Sequence, residues 1–187
     1  MKKFELTTNS KMYLGKKLFQ IKALISFGNV EEGDLGGFIE KEDNLSQSGD
    51  AWVYGDAWVY GNARVSGNAR VYGDAWVYGN ARVSGNAEVS GDAEVYGNAS
   101  VSGNARVSGN AWVSGDADYT TIKGFGRNCR NTTFFKSEDG DVKVVCGCFY
   151  GTLDEFRKKV KETHGDSKYA TEYLAIADLM ELHFKED

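Results

Sequence analysis

From Gln47 to Asp118 small apolar and variable positions alternate inside a six-residue period, A-x-V-[SY]-G-[ND], with valine at 53, 59, 65, 71, 77, 83, 89, 95, 101, 107 and 113. Alternation of Ala and Val with polar or aromatic residues is the mark of a short strand with one buried face. The Gly-Asn or Gly-Asp pair that follows is corner chemistry, because Gly enters φ > 0 without steric cost and Asn and Asp tolerate it better than other residues. A longer period lies on top. Residues 58–75 match 76–93 at 16 of 18 positions, differing at Arg70/Glu88 and Tyr72/Ser90, whereas a shift of one hexad keeps 12. Three strands and three corners therefore make one unit, and the chain is predicted to coil back on itself every 18 residues around a narrow Val/Ala interior.

The flanks differ in pattern. Residues 1–46 carry two apolar, strand-like stretches, Phe4 to Thr7 and Lys17 to Leu24, then a turn-rich EEGDLGGFIE; they read as an N-terminal cap that covers the open edge of the first coil. The repeat itself is assigned to 47–121. Residues 122–187 read as a small α/β module. In it TTFFK and VKVVC flank a hairpin signal, SEDGD. A capping box at Thr152 to Glu155 opens a helix with Phe156 and Val160 inward and Gly165 at its end. A second helix, from about Ser167 to Phe184, sets Tyr169, Tyr173, Ile176, Met180 and Phe184 on one face as core or subunit contact.

The hexad spacing, an aliphatic residue followed four places later by a small residue, resembles the hexapeptide repeat of left-handed parallel β-helix proteins over about 70 residues. The expected fold is thus mainly β, a left-handed parallel β-helix of about four 18-residue coils with the two end modules. Here Ser or Tyr follows the valine and Gly comes after it, so the resemblance is to the fold rather than to an enzyme subgroup. Many family members are trimeric acyltransferases and some are metal-dependent carbonic anhydrases. Both need histidines on the coils, as general base or as metal ligand. This chain has only His164 and His183, both outside the repeat. Neither activity is expected, and no catalytic residue, metal or cofactor is assigned to the coils. The FGN-x-x-x-GDLGGFIE segment, the GNA-type repeat and the ending FFK…VCGCFYGTLDEFRKKVKETHG…YATEYL together resemble proteins encoded by bacteriophages and prophages. That resemblance implies a phage-related setting and no particular reaction.

Composition narrows the setting. The 187 residues carry a net charge of −5, no proline and three cysteines, Cys129, Cys146 and Cys148. An odd cysteine count fits a reducing cytosol, and MKKFELTTNSKM has no apolar run behind its lysines, so neither a signal peptide nor a membrane span is expected. Cys146 and Cys148 fall on one side of an expected strand, as half a metal site or an ordinary buried pair.

Functional information must then lie on outward positions, read as columns 18 apart. The first face carries Trp52, Arg70, Glu88 and Arg106, alternating in sign with a cation–π contact expected at the Trp52 end. The second carries Trp58, Trp76, Glu94 and Trp112 beside Tyr60, Tyr78, Tyr96 and Ser114: six large aromatics on a side about 19 Å tall, for four coils at strand spacing. Such a patch is a self-covering surface, a homo-oligomer interface or a site for a foreign partner. The third face stacks Arg64 over Arg82 beside Ser66 and Ser84, continuing to Ser100 and Asp118; two superposed guanidinium groups call for an anion between them or point apart into solvent.

The expected function is that of a cytoplasmic binding scaffold, a homo-oligomer with a trimer favoured. It captures a host protein or a phosphate-bearing small molecule through these faces, as an inhibitor of bacterial defence in the phage setting. No membrane and no direct nucleic-acid partner is expected, and mimicry of DNA by a charged β-helix is weakened by the arginine columns, which interrupt any uniformly negative surface. The alternative is an enzyme with its chemistry around Cys146, Cys148 and His164 in the C-terminal module.

Overall fold

The computed structural model describes residues 2–185. The chain opens on a long hairpin of β1 (Phe4–Tyr13) and β2 (Lys16–Ala23), followed by β3 (Leu35–Ile39). Eleven two-residue strands, β4 to β14, follow at Trp52–Val53, Trp58–Val59, Arg64–Val65, Arg70–Val71, Trp76–Val77, Arg82–Val83, Glu88–Val89, Glu94–Val95, Ser100–Val101, Arg106–Val107 and Trp112–Val113. They stack in parallel into a β-solenoid of about four turns with the 18-residue spacing that the repeat predicts. Val59 pairs with Val77, Val77 with Val95 and Val95 with Val113. The interior is as narrow as expected: every repeat valine is fully buried, and the repeat alanines from Ala51 to Ala111 are at most 2% exposed.

The first coil starts earlier than the hexads do. β3 lies parallel to β5, with Phe38 beside Trp58 and Ile39 beside Val59, and Leu45 bridges to Val65. The segment read as turn-rich is therefore a strand, and residues 35–46 form solenoid wall with a 20-residue offset instead of 18. The extra length sits at the corner around Gln47, whose side chain binds the incoming chain: its Oε1 accepts from Lys3 N at 2.8 Å. Alternation of Ala and Val is missing because β3 approaches too closely for side chains. A Cβ on Gly37 would stand 2.5 Å from the Ala57 carbonyl oxygen. Buried Lys3 closes the same corner, its Nζ donating to the Ala51 carbonyl at 2.8 Å; burial lowers its pKa to about 8, opposed by Asp50.

The far end is closed by side chains. Residues 116–118 turn in a short 3-10 helix, Asp116 Oδ1 accepts from Ser100 N (2.8 Å), and the Tyr119 hydroxyl donates to the Ser100 carbonyl (2.7 Å). Asp118 therefore leaves the third-face column. Its Oδ2 accepts from Ser114 N, Ser114 Oγ and Gly115 N, which together with Lys136 hold its carboxyl below the usual range against the opposing effect of burial. An antiparallel sheet then forms from β15 (Tyr119–Phe125), β16 (Arg130–Lys136), β17 (Val142–Cys146) and β18 (Phe149–Thr152). Phe135 and Val145 from this sheet join the solenoid core. Phe134 and Val144 turn the other way, onto α1 (Leu153–His164) and α2 (Lys168–Phe184).

The capping box is present: Thr152 Oγ1 accepts from Glu155 N and Glu155 Oε2 accepts from Thr152 N. Phe156 and Val160 are inward, as expected. On α2 the buried stripe is Ala170, Tyr173, Ala177, Met180 and Phe184, while Tyr169 is exposed and Ile176 half-buried, so the inward face is rotated from the expected one. Cys146 ends β17 and Cys148 follows the Gly147 turn, so the two thiols flank a turn instead of sharing a strand. Among the described residues no helix is long and apolar enough to cross a membrane.

Candidate functional site

Parallel register makes each outward column a ladder of like positions about 4.8 Å apart. At two of the three corners this suits the residues. Asn62, Asn80 and Asn98 form one chain of amide hydrogen bonds at 3.1–3.2 Å, and Asn68, Asn86 and Asn104 form another at 3.1 Å. An amide is both donor and acceptor, so it can bond to its own copy above and below.

On the first face the charges alternate, and Arg106 Nε meets Glu88 Oε2 at 3.2 Å. The expected cation–π contact does not form: among the described residues none joins Arg70 to Trp52. Trp52 is 1% exposed, held edge-on by Phe4 at 6.2 Å and Phe27 at 5.4 Å between ring centroids. The N-terminal segment buries it, which no feature of the hexad discloses.

The second face is a ladder of rings. Trp58 stacks on Trp76 at 5.1 Å with planes 1° apart, Tyr60 on Tyr78 at 5.0 Å, Tyr78 on Tyr96 at 5.1 Å, and Tyr96 leans on Trp112 at 6.0 Å. Its two halves differ. The tip of the β1–β2 hairpin folds over the N-terminal half, and Tyr13 makes edge contacts with Trp58 (5.2 Å), Tyr60 (5.9 Å) and Trp76 (5.0 Å). Lys11 holds the hairpin down, pairing with Asp56 at 2.7 Å and lying over the Phe38 ring. Tyr60 is consequently only 8% exposed and offers a partner little surface, and burial pushes its phenol up to about 12. Beyond Trp76 the rings stay half-buried, and Trp112 is 45% exposed. Glu94, which interrupts the tryptophan column, accepts the Tyr78 hydroxyl at 2.7 Å; burial, then that bond, raises the Tyr78 pKa.

The third face behaves otherwise. Arg64 and Arg82 are register partners, both exposed, and among the described residues neither forms an ion pair. They line an open trough of about 600 Å³ with Ser66, Ser84 and Ser100, and Glu42 and Asp43 stand at its N-terminal end. Among the described residues no serine hydroxyl lining the trough is hydrogen-bonded to a carboxylate or an imidazole.

A separate cavity of about 320 Å³ lies in the C-terminal module. It brings together Cys146, Cys148 and His164, which sequence alone could not place side by side, with Arg127, Arg130 and Tyr173. Thr132 Oγ1 lies 3.2 Å from Cys146 Sγ, and the Tyr173 hydroxyl donates to the Phe125 carbonyl at 3.2 Å. Burial, then Cys146, pushes the Tyr173 phenol up to about 12. Among the described residues no three His, Cys, Asp or Glu side chains group as they would around one metal ion.

No curated protein matches the chain. The family described as "YdcK Beta solenoid repeat" matches residues 63–79, 75–91 and 99–115, all within the stacked coils, so repeat and fold agree that this is a β-solenoid protein.

Proposed function

We propose that the protein is a non-enzymatic binding scaffold, a left-handed β-helix that captures an anionic ligand or partner on the third face through Arg64, Arg82, Ser66 and Ser84. One observation carries this reading. Elsewhere on the outer faces Arg106 meets Glu88 and Glu94 meets Tyr78, whereas Arg64 and Arg82 are stacked like charges that form no ion pair among the described residues, although Glu42 and Asp43 line the end of the same trough. A phosphate or carboxylate gripped by two guanidinium forks, with the serine hydroxyls alongside, supplies the counter-charge.

The uncovered half of the aromatic ladder, Tyr78, Tyr96 and Trp112, is the companion surface where further copies would meet, three chains being the number that the hexapeptide-repeat resemblance favours. In the phage-related setting implied by sequence, sequestering a host protein or a phosphate-bearing signal would blunt a bacterial defence. Calorimetry against nucleotides and cyclic nucleotides, with pull-down from host lysate, tests the reading. The double change Arg64→Ala, Arg82→Ala should weaken the interaction about tenfold or more; an unchanged double variant refutes it. Light scattering should give a trimer that Tyr78→Ala with Trp112→Ala weakens, and a monomer at micromolar concentration removes the assembly part alone.

A further inference from the structure

The cavity in the C-terminal module differs in kind from the solenoid faces. Its inner wall is apolar, made by Phe149, Phe156, Val160 and the ring of Tyr173. The Tyr173 hydroxyl donates to the carbonyl of Phe125, a residue outside the cavity lining. The rim is cationic: Arg127, Arg130 and Lys159 line it, and no aspartate or glutamate does. Arg130 lies directly against Gly147 of the Cys-Gly-Cys turn, whose lack of a side chain makes room for the guanidinium. Among the described residues neither Arg127 nor Arg130 forms an ion pair, and Lys159 has only a surface contact with Glu162 at 3.6 Å.

We propose that this cavity binds a small organic anion with a planar apolar body, a carboxylate or a phosphate monoester, the ring entering between Phe149, Phe156 and Val160 and the anionic group remaining at Arg127 and Arg130. Its chemistry fits that class on both counts. Apolar walls with a few converging polar groups are the usual make-up of small-molecule sites, and about 320 Å³ is at the lower end of their range, about 300–1,000 Å³, which limits the body to one or two fused rings. Guanidinium groups select for carboxylate or phosphate oxygens over neutral polar groups through charge-assisted, forked hydrogen bonds. Cys148 is exposed on the turn beside the rim, so an occupant shields its thiol.

The test titrates the full chain with 1-naphthoate, 1-naphthyl phosphate and the neutral 1-naphthamide, followed by calorimetry and by chemical-shift changes. One or both anions should bind at least tenfold more tightly than the amide, perturbing Phe149 and Val160, and should slow alkylation of Cys148 by iodoacetamide several-fold. Arg127→Gln with Arg130→Gln should abolish the preference for the anions. Because Arg130 also packs on the turn, Arg127→Gln with Lys159→Gln provides a second variant confined to the exposed rim, and it should reduce the preference measurably. Arg64→Ala with Arg82→Ala should leave the shift changes at Phe149 and Val160 and the protection of Cys148 unchanged, which separates this site from any naphthoate held on the third face of the solenoid. Equal affinity for the amide, an unchanged preference in both rim variants, or no binding of either anion at millimolar concentration would overturn the proposal.

Discussion

The solenoid and the C-terminal module both bury β-strands against an apolar interior, but they fill it in opposite ways. Along the coils each residue packs on its own copy in the next turn, and a cross-section of valine and alanine leaves no interior space. The module instead packs unlike shapes, with Phe134 and Tyr173 edge-on to Phe156 at 6.1 and 5.6 Å. Irregular packing of large rings leaves the about 320 Å³ cavity at its margin. Repetition thus produces periodic surfaces with a trough lined by arginine and serine, and irregularity produces a smaller cavity lined by aromatic rings.

Core deletion should expose this contrast most strongly. Phe156→Ala removes the ring that joins β16, β18 and α2 contacts and should cost about 3–5 kcal/mol in denaturant unfolding. Val95→Ala, two carbons smaller in a single column, should cost about 1.6 kcal/mol from lost burial. The coil has the opposite vulnerability: it resists enlargement, and Val95→Phe should cost about 3 kcal/mol because neighbouring valines above and below cannot move aside. Comparable tolerance of Val95→Phe and Val95→Ala would mean that the coil interior is looser than its complete burial implies.

Corner substitutions separate stacking from local backbone preference. Gly85 and Gly103 have nearly the same φ, +68° and +69°. A Cβ on Gly85 would stand 2.9 Å from the Gly103 backbone N and O, whereas a Cβ on Gly103 meets nothing within 4 Å. Gly103→Ala should therefore cost about 1–2 kcal/mol for the left-handed backbone alone, and Gly85→Ala should exceed it by about 1–3 kcal/mol because the next coil must shift. Thermal melts of the two variants give the difference directly. Equal losses would show that the coils do not constrain one another at their corners.

The same distinction governs what could be read from sequence. The valine columns, the Trp58–Trp76 stack, the module's hairpin and the Thr152 capping box were all legible because each follows from local spacing. The unread parts depend on contacts between segments remote in sequence. Tyr13 sits in a hairpin whose polar strand, TTNSKMY, gives no sign that its tip folds over Trp58 and Trp76. Leu35 to Ile39 lacks the hexad because Gly37 is required for close approach, so a solenoid strand looked like a turn. For the candidate sites, the Arg64/Arg82 register was legible from the 18-residue period. The meeting of Cys146, Cys148, His164 and Arg130 was not, since it requires knowing how α1 crosses the sheet.

Alkaline titration separates the hairpin-covered ladder from the module. Tyr60 and Tyr173 both have pKa values raised to about 12 from an ordinary value near 10. Between those values the unfolded chain has released the phenolic proton and the folded chain retains it, so stability falls as pH rises from about 10 to 12. Lys3 acts oppositely: with its folded pKa lowered to about 8, the unfolded chain binds more protons between about 8 and 10.5, and stability rises over that interval. A stability–pH curve should therefore rise gently and then decline. Tyr60→Phe and Tyr173→Phe should each flatten the decline by on the order of 1 kcal/mol, allowing for partial solvent screening. A decline unchanged in both variants would assign it to other groups.

The smallest effect compares the first face with the third, where the same register places unlike and like charges one above another. Glu88 and Arg106 are in contact at 3.2 Å but partly exposed, so Glu88→Ala should lose about 0.2–1 kcal/mol, the range of surface ion pairs. Arg82→Ala removes the repulsion with Arg64 directly below it, and its effect should have the opposite sign, a gain of a few tenths of a kcal/mol. Both should shrink in high salt, because exposed charges a few ångströms apart are screened by mobile ions. Measured at low and high ionic strength, the two variants should converge on wild-type stability from opposite sides. If Arg82→Ala instead destabilises the isolated chain at low salt, then Arg82 has a favourable contact within the chain, and the argument for an external anion at the Arg64/Arg82 column loses its electrostatic basis.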